Sequence, residues 1–368
     1  MARLARDGWL PTRWRSLRST WLTIAQMSAA AGLAWFLARD VLGHERGYFA
    51  PIAAVVVLGF GPGGRTRRAV ELAVGVALGI AIGDLLIAGI GSGPWQLMLV
   101  VGLASFVAVF LGAGPMLASQ AAVSAALVAT LTASTDTLSL SRFVDSLVGG
   151  AVGLAVLVAV PGNPLRTVRR AADALLAELA GTLDDVADAL ARQDHAAGRD
   201  ALARARSLDP LVVDLRQSLE LARETVHLAP TRWKARSPIA RIRLASTHVE
   251  YAVRNTRVLA RASLRALDLE PRIDDDVVAA VLELGVAVRA LQAEIEDGGD
   301  GRAVGAAAVR AAGRASLARV DGASLSISVL VGQVRSTSAD LLRAIGLDRD
   351  VAVDLIRTAA DERPPVAP

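Results

Sequence analysis

Residues 48–86 read YFAPIAAVVVLGFGPGGRTRRAVELAVGVALGIAIGDLL. Two apolar runs flank a short basic loop, GPGGRTRR (61–68). The second run continues to Ile90 and meets only Glu71 and Asp84 as charges. As a helix rising 1.5 Å per residue it covers the ~30 Å of bilayer hydrocarbon. The first run is shorter, with about 12–14 strictly apolar residues or roughly 20 Å of helix. Pro51 at its start and Gly59, Gly61 and Pro62 at its end suit a short span with its flanks included, or a tilted, broken or re-entrant segment.

Charge-free stretches on either side extend the pattern. About 20 uncharged residues lie between Arg18 and Arg39, and no charge occurs from Leu85 to Thr135. GSGP (91–94) and GAGP (112–115) divide that long stretch, and a last run ends at Pro161-Gly162-Asn163-Pro164. Six crossings are expected, at 19–38, 47–62, 70–90, 95–111, 116–133 and 143–160, after an N-terminal segment 1–18. The expected fold is all-α: an integral membrane bundle of six transmembrane helices (19–162) followed by a cytoplasmic helical-bundle domain (163–360). The tail 361–368, with its paired prolines, is expected to be disordered.

Charge and composition agree with this division. Aromatic residues make up only 4% of a chain that is 53% hydrophobic. Ala, Val, Leu and Gly runs of that kind suit helices in lipid. Residues 1–165 carry eleven arginines against seven acidic residues, so the whole net charge of +4 belongs to the apolar half. With the N-terminus inside, arginines gather in the inner segments (Arg3 to Arg18, Arg65, Arg67, Arg68, Arg166, Arg169, Arg170). The outer ones hold Arg39, Arg46 and Arg142, which places both termini in the cytoplasm of a bacterial plasma membrane. Arginines that flank apolar runs encode topology, so nucleic acid is not an expected partner. Lys234 is the only lysine and no GxxxxGK occurs, so ATP-driven transport by this chain is not expected. There is no cysteine. His44, His195, His227 and His248 have no metal-ligand spacing and read as surface or packing residues, so neither a metal, a cofactor nor catalysis is expected.

The polar side chains within the spans are Gln26, Asp84, Gln120, Ser124 and Asp145. Intramembrane carboxylates are costly and often mark a pathway. Asp84 lies near the outer interface, and Glu71 and Asp145 also lie near span ends, where exposure makes a charge cheap. Gln120 and Ser124 share a helix face, as an interhelical pair or as a polar strip along a path. Gly75, Gly79 and Gly83, and likewise Gly149 and Gly153, recur every four residues and let another backbone approach closely. Static packing and a sliding contact both fit them. Arg65, Arg67 and Arg68 either set topology alone or also concentrate anions at a cytoplasmic mouth.

Beyond Asn163-Pro164, a strong helix start, the pattern becomes amphipathic. Ala172, Leu176, Leu179, Leu183, Val186 and Leu190 form a heptad series. One helix is expected over about 197–228, another from Ser237-Pro238 to about Leu267, and others from Asp274, over 303–319 and over 324–346. Arg243, Arg254, Arg257, Arg261 and Arg265 lie within roughly 40° of one line on their helix. Their expected partners are Asp184, Asp185 and Asp188, or Asp274, Asp275 and Asp276, with Glu250 placed to pair with Arg254. An anion-attracting vestibule or contact with anionic lipid is the other reading of that stripe.

The segment 48–86, together with SQAAVSAALVATL (119–131) and RFVDSLVGGAVGL (142–154), resembles the fusaric acid resistance and aromatic acid exporter family. The helical tail after PGNPLRTVRRAADALL is similar too. The resemblance implies six spans, a cytoplasmic helical domain and export of aromatic or other organic acid anions. Its motif maps onto Phe49, Ala50, Pro51, Gly75 and Gly79, and Glu71 stands where the family has a basic residue. Plant malate channels share a related layout and work as dimers, so an organic-anion channel is a close alternative. The expected partners are membrane lipid, a small organic anion and a second copy of the chain. A membrane-anchored scaffold or sensor, presenting the helical domain to a protein partner, is the alternative of another class.

Overall fold

A computed structural model describes residues 9–44, 47–59, 65–112, 114–131, 140–159, 163–228, 234–318 and 325–361. The side chains of residues 9–20, 22, 65–68 and 227–228 are outside that description. The chain is all-helical, with no strand among the described residues. It divides into two compact units, Met1–Gly162 with Leu228–Thr231, and Asn163–His227 with Arg232–Pro368.

The N-terminal unit contains α1 (Trp9–Phe36), a turn of π-helix (Leu37–Val41), α2 (Phe49–Gly59), α3 (Arg65–Ile90), α4 (Pro94–Phe110), α5 (Pro115–Leu131) and α6 (Leu140–Ala159). Two segments, Ala69–Ile90 and Leu140–Ala159, are long and apolar enough to cross a membrane. Only 39% and 33% of their apolar windows are buried, whereas the core helix of a water-soluble protein would be mostly covered. The remaining apolar helices are shorter. The 17 residues of α4 and of α5 make about 25 Å each, at the lower limit for a span. The 11 residues of α2 make about 16 Å. The expected span 47–62 is thus cut to a helix about half the hydrocarbon thickness, and residues 60–62 lie outside the described residues.

Small residues build the seams of this unit. α3 packs on α5 and α2 packs on α6. A Cβ at Gly75 would come within 3.0 Å of the Leu117 carbonyl oxygen, and one at Gly79 would overlap the Ala121 backbone. At Gly83 it would meet Val128 at 3.1 Å. In the second seam a Cβ at Gly149 would overlap the Ala50 backbone, and one at Gly153 would meet Val57 at 2.9 Å. Pro51 sits half-buried in the first turn of α2, where a missing N–H costs nothing. Phe49, Leu72 and Ile80 are buried, but many other large apolar side chains point outward: Phe110 is 79% exposed and Met98 74%.

The C-terminal unit contains α7 (Pro164–Arg192), α8 (His195–Arg206), α9 (Asp209–Leu228), α10 (Arg236–Leu269), α11 (Asp275–Asp297), α12 (Arg302–Leu317), α13 (Leu325–Ala344) and α14 (Arg349–Asp361). The Asn163 side chain caps α7 by accepting from the Arg166 N–H at 3.3 Å. The whole heptad series of α7, from Ala172 to Leu190, is buried. One core joins this face to α8–α14.

Several expectations are corrected here. The helix expected over 197–228 is two, broken at Ser207-Leu208. Pro210 has no N–H to donate and its ring would strike the carbonyl four residues back, so α8 must end before it. Glu250 pairs with Arg216 of α9, not with Arg254. Of the arginine stripe, Arg257 pairs with Asp209 at 2.9 Å. The proposed acidic partners are taken elsewhere: Asp184 by Arg289, Asp185 by Arg204, Asp188 by Arg192, Asp275 by Arg272 and Asp276 by Arg314. Asp274 caps α11. Arg204 also grips Glu178 with two hydrogen bonds, which hold that carboxyl below its usual range. Asp361 ends α14, and the rest of the tail lies outside the described residues.

Candidate functional site

The buried carboxylates of the N-terminal unit, Asp84 and Asp145, lie where α3 ends and α6 begins, near the turn of the chain from α1 to α2. α3 stops at Ile90, before Gly91 at φ +73° and Pro94, so Asp84 lies in its last two turns. Arg142 and Asp145 occupy the first two turns of α6, one turn apart. The π-helical turn and Gly43, at φ +72°, fold the chain back after α1. That left-handed conformation favours glycine. The His44 N–H then donates to the Ala38 carbonyl at 3.0 Å, which fixes where its ring can reach.

Two ion pairs result. Arg142 donates from a terminal guanidinium nitrogen to Asp84 Oδ1 at 2.5 Å, and both side chains are largely buried. His44 Nδ1 meets Asp145 Oδ1 at 2.6 Å, with the aspartate side chain only 2% exposed. Asp145 is therefore not the exposed end-of-span charge that its position suggested. It is buried, and His44, read from sequence as a surface or packing residue, faces it. Arg142, read only as a topology marker, holds Asp84.

Both pairs involve α6, one tying it to α3 and the other to the turn after α1. Desolvating such groups costs several kcal/mol per ion, and removal of one partner leaves an uncompensated charge. The arrangement also has chemical use. A guanidinium that releases Asp84 presents a planar fork of donors suited to a carboxylate.

The other pathway candidates lie apart from this cluster in sequence and in role. Ser124 is buried on α5 and Gln120 is half-buried one turn earlier, beside the Gly75 seam. Gln26 is half-buried on α1, and Glu71 is half-buried near the start of α3. The side chains of Arg65, Arg67 and Arg68 lie outside the described residues.

A family model described as fusaric acid resistance protein-like matches residues 33–156, a stretch that contains both ion pairs. An uncharacterized protein of Corynebacterium glutamicum is 32% identical over 363 residues, which cover 97% of this chain and 93% of that one. The chain belongs to the fusaric acid resistance protein-like family. A protein of Mycobacterium tuberculosis carrying the name "Putative arylamide transporter" is 34% identical over 253 residues, covering 67% of this chain and 70% of that one. A Mycobacterium bovis protein of the same name matches equally. Membership in this fusaric acid resistance-like family makes the chain a membrane transport protein, and the four residues of the ion pairs all fall within the stretch that defines it.

Proposed function

We propose that the protein is a permease exporting aromatic or other organic acid anions across a bacterial plasma membrane without ATP hydrolysis. In this reading α1–α6 serve as six spans, with local bilayer thinning and snorkelling of flanking residues accommodating the short α2. Both termini are cytoplasmic, and a second copy of the chain completes the path. One observation carries the reading: two carboxylates and their basic partners are buried at one end of a unit whose outer surface is apolar. A bundle that only anchored another domain would gain nothing from desolvating four polar groups. Family membership and the relatives named as transporters support membrane transport.

Arg142 is the proposed contact for the anion, with Asp84 as the group it exchanges for substrate. Arg65, Arg67 and Arg68 raise anion concentration at the inner mouth. The test is benzoate flux in liposomes holding the purified protein. Arg142→Gln is expected to lower flux about tenfold or more, a loss of ~1.4 kcal/mol of transition-state stabilisation. The exchanged pair Asp84→Arg with Arg142→Asp should insert normally and still fail to restore flux, because the cation then stands on the wrong helix. Full flux in Arg142→Gln, at equal protein incorporation, sinks the proposal.

A further inference from the structure

In the C-terminal unit, α10, α13 and α14 line an open, solvent-facing groove of about 430 Å³, with Tyr251, Arg254, Arg349 and Val353 exposed along it. This falls in the range of sites for small organic ligands. Its wall is chemically divided. Arg254, Arg343 and Arg349 line it from three different helices, and none of them is ion-paired among the described residues. Arg204, Arg216, Arg257, Arg289, Arg310 and Arg314 have carboxylate partners, while Arg243, Arg261 and Arg265 of α10 are, like these three, without an ion pair among the described residues. What sets these three apart is that they converge on one groove. Opposing these cations in the same groove is a single carboxylate, Asp340, which accepts a 2.8 Å hydrogen bond from the Asn255 amide. Burial pushes the Asp340 carboxyl up to about 6, despite the nearby Arg343 and the bond from Asn255. Tyr251 supplies an aromatic face, with the Arg254 guanidinium 5.9 Å from its ring centre, and Ala339 and Val353 supply apolar wall.

We infer that this groove binds a small aromatic carboxylate bearing a hydrogen-bond donor, such as a ring amine, at the end away from its acid group. The guanidinium groups take the carboxylate, Tyr251 and Val353 flank the ring, and Asp340 accepts from the donor. Three cations against one anion favour a negatively charged ligand. Phosphate also carries an O–H at neutral pH that Asp340 can accept, so contact of the ring with Tyr251 and Val353 is what favours an aromatic carboxylate over it. All of its lining residues belong to the C-terminal unit, and the site would serve to sense an anion.

The probe is 4-aminobenzoate, titrated calorimetrically into the full chain in detergent micelles. Binding is expected with Kd below about 1 mM, weakened tenfold or more in the double variant Arg254→Gln/Arg349→Gln. Both residues are exposed, so this variant should keep the thermal midpoint of the parent. Benzoate, which lacks the donor, should bind more weakly than 4-aminobenzoate. Arg310→Gln, a change of the same kind at an arginine outside this lining, should leave binding unchanged. Three results would overturn the inference: no heat with the parent chain, equal affinity in the double variant, or inorganic phosphate binding as tightly as 4-aminobenzoate.

Discussion

The two units pack helix on helix with opposite materials. In the N-terminal unit glycine and alanine meet at the seams, at Gly79 against Ala121 and Gly149 against Ala50, while Phe106, Phe110 and Met98 face outward. In the C-terminal unit Leu175, Leu179, Leu183, Leu284 and Leu341 fill the interior, and charges cover the outside. Their ion pairs are inverted in the same way. Asp145 and Asp84 are buried with their partners, whereas Arg204, Arg289 and Arg310 pair across exposed helix surfaces. The difference teaches what each unit takes as its solvent. Water rewards the burial of leucine, whereas lipid offers no such gain and leaves close backbone contact as the source of cohesion.

The strongest way to break this contrast is to unmake a buried pair. Asp145→Ala leaves His44 without its carboxylate and should destabilise the N-terminal unit by about 1–3 kcal/mol. Thermal unfolding in detergent, compared with the double variant Asp145→Ala/His44→Ala, reads it, and the double variant should recover part of the loss. Next comes the seam. Gly149→Val drives a side chain into the Ala50 backbone and should cost about 1–3 kcal/mol, or prevent assembly. An outward glycine with open space around it, Gly102, should accept the same change at little cost.

Smaller effects belong to the C-terminal unit. Arg204→Gln removes contacts to Glu178, about one-third exposed, and Asp185, nearly half exposed, and solvent screening should hold the loss to about 1 kcal/mol. A loss as large as that of Asp145→Ala would erase the distinction between the units. The smallest change depends on pH. Asp340 is raised above its ordinary 3.8 to about 6, so the folded state holds more protons than the unfolded state between those values. Its contribution is full below about pH 4 and is lost as pH rises through 6. Asp340→Asn should therefore stabilise the chain at pH 7.5 but not at pH 4, by about 1 kcal/mol or less at this half-exposed group. Thermal midpoints at the two pH values check this.

Periodicity made much of the fold legible. The α7 heptad series, the Asn163 cap and the four-residue glycine spacing of α3 and α6 are local signals, and a helix repeats them on one face. The site was legible only by half. Asp84 and Asp145 stand out as carboxylates in apolar runs, but their partners do not. His44 lies 101 residues from Asp145 and Arg142 lies 58 from Asp84, and no local pattern encodes contacts over such separations. The same distance hid the partners of the arginine stripe. Pro210, by contrast, was a visible signal for the α8–α9 break, a helix stop within reach of sequence reasoning.

The chain contains no cysteine, so single cysteines can be introduced cleanly for spin labelling. A nitroxide at Phe106→Cys in liposomes, compared with one at Leu244→Cys, tests most directly which solvent surrounds each unit. Both positions are exposed by about two-thirds, at 64% and 66%. The label at position 106 should collide with dissolved oxygen and be shielded from a water-soluble nickel chelate, with the reverse at 244. Ready access of the nickel chelate to position 106 would contradict lipid as the solvent of the N-terminal unit, and the permease reading with it.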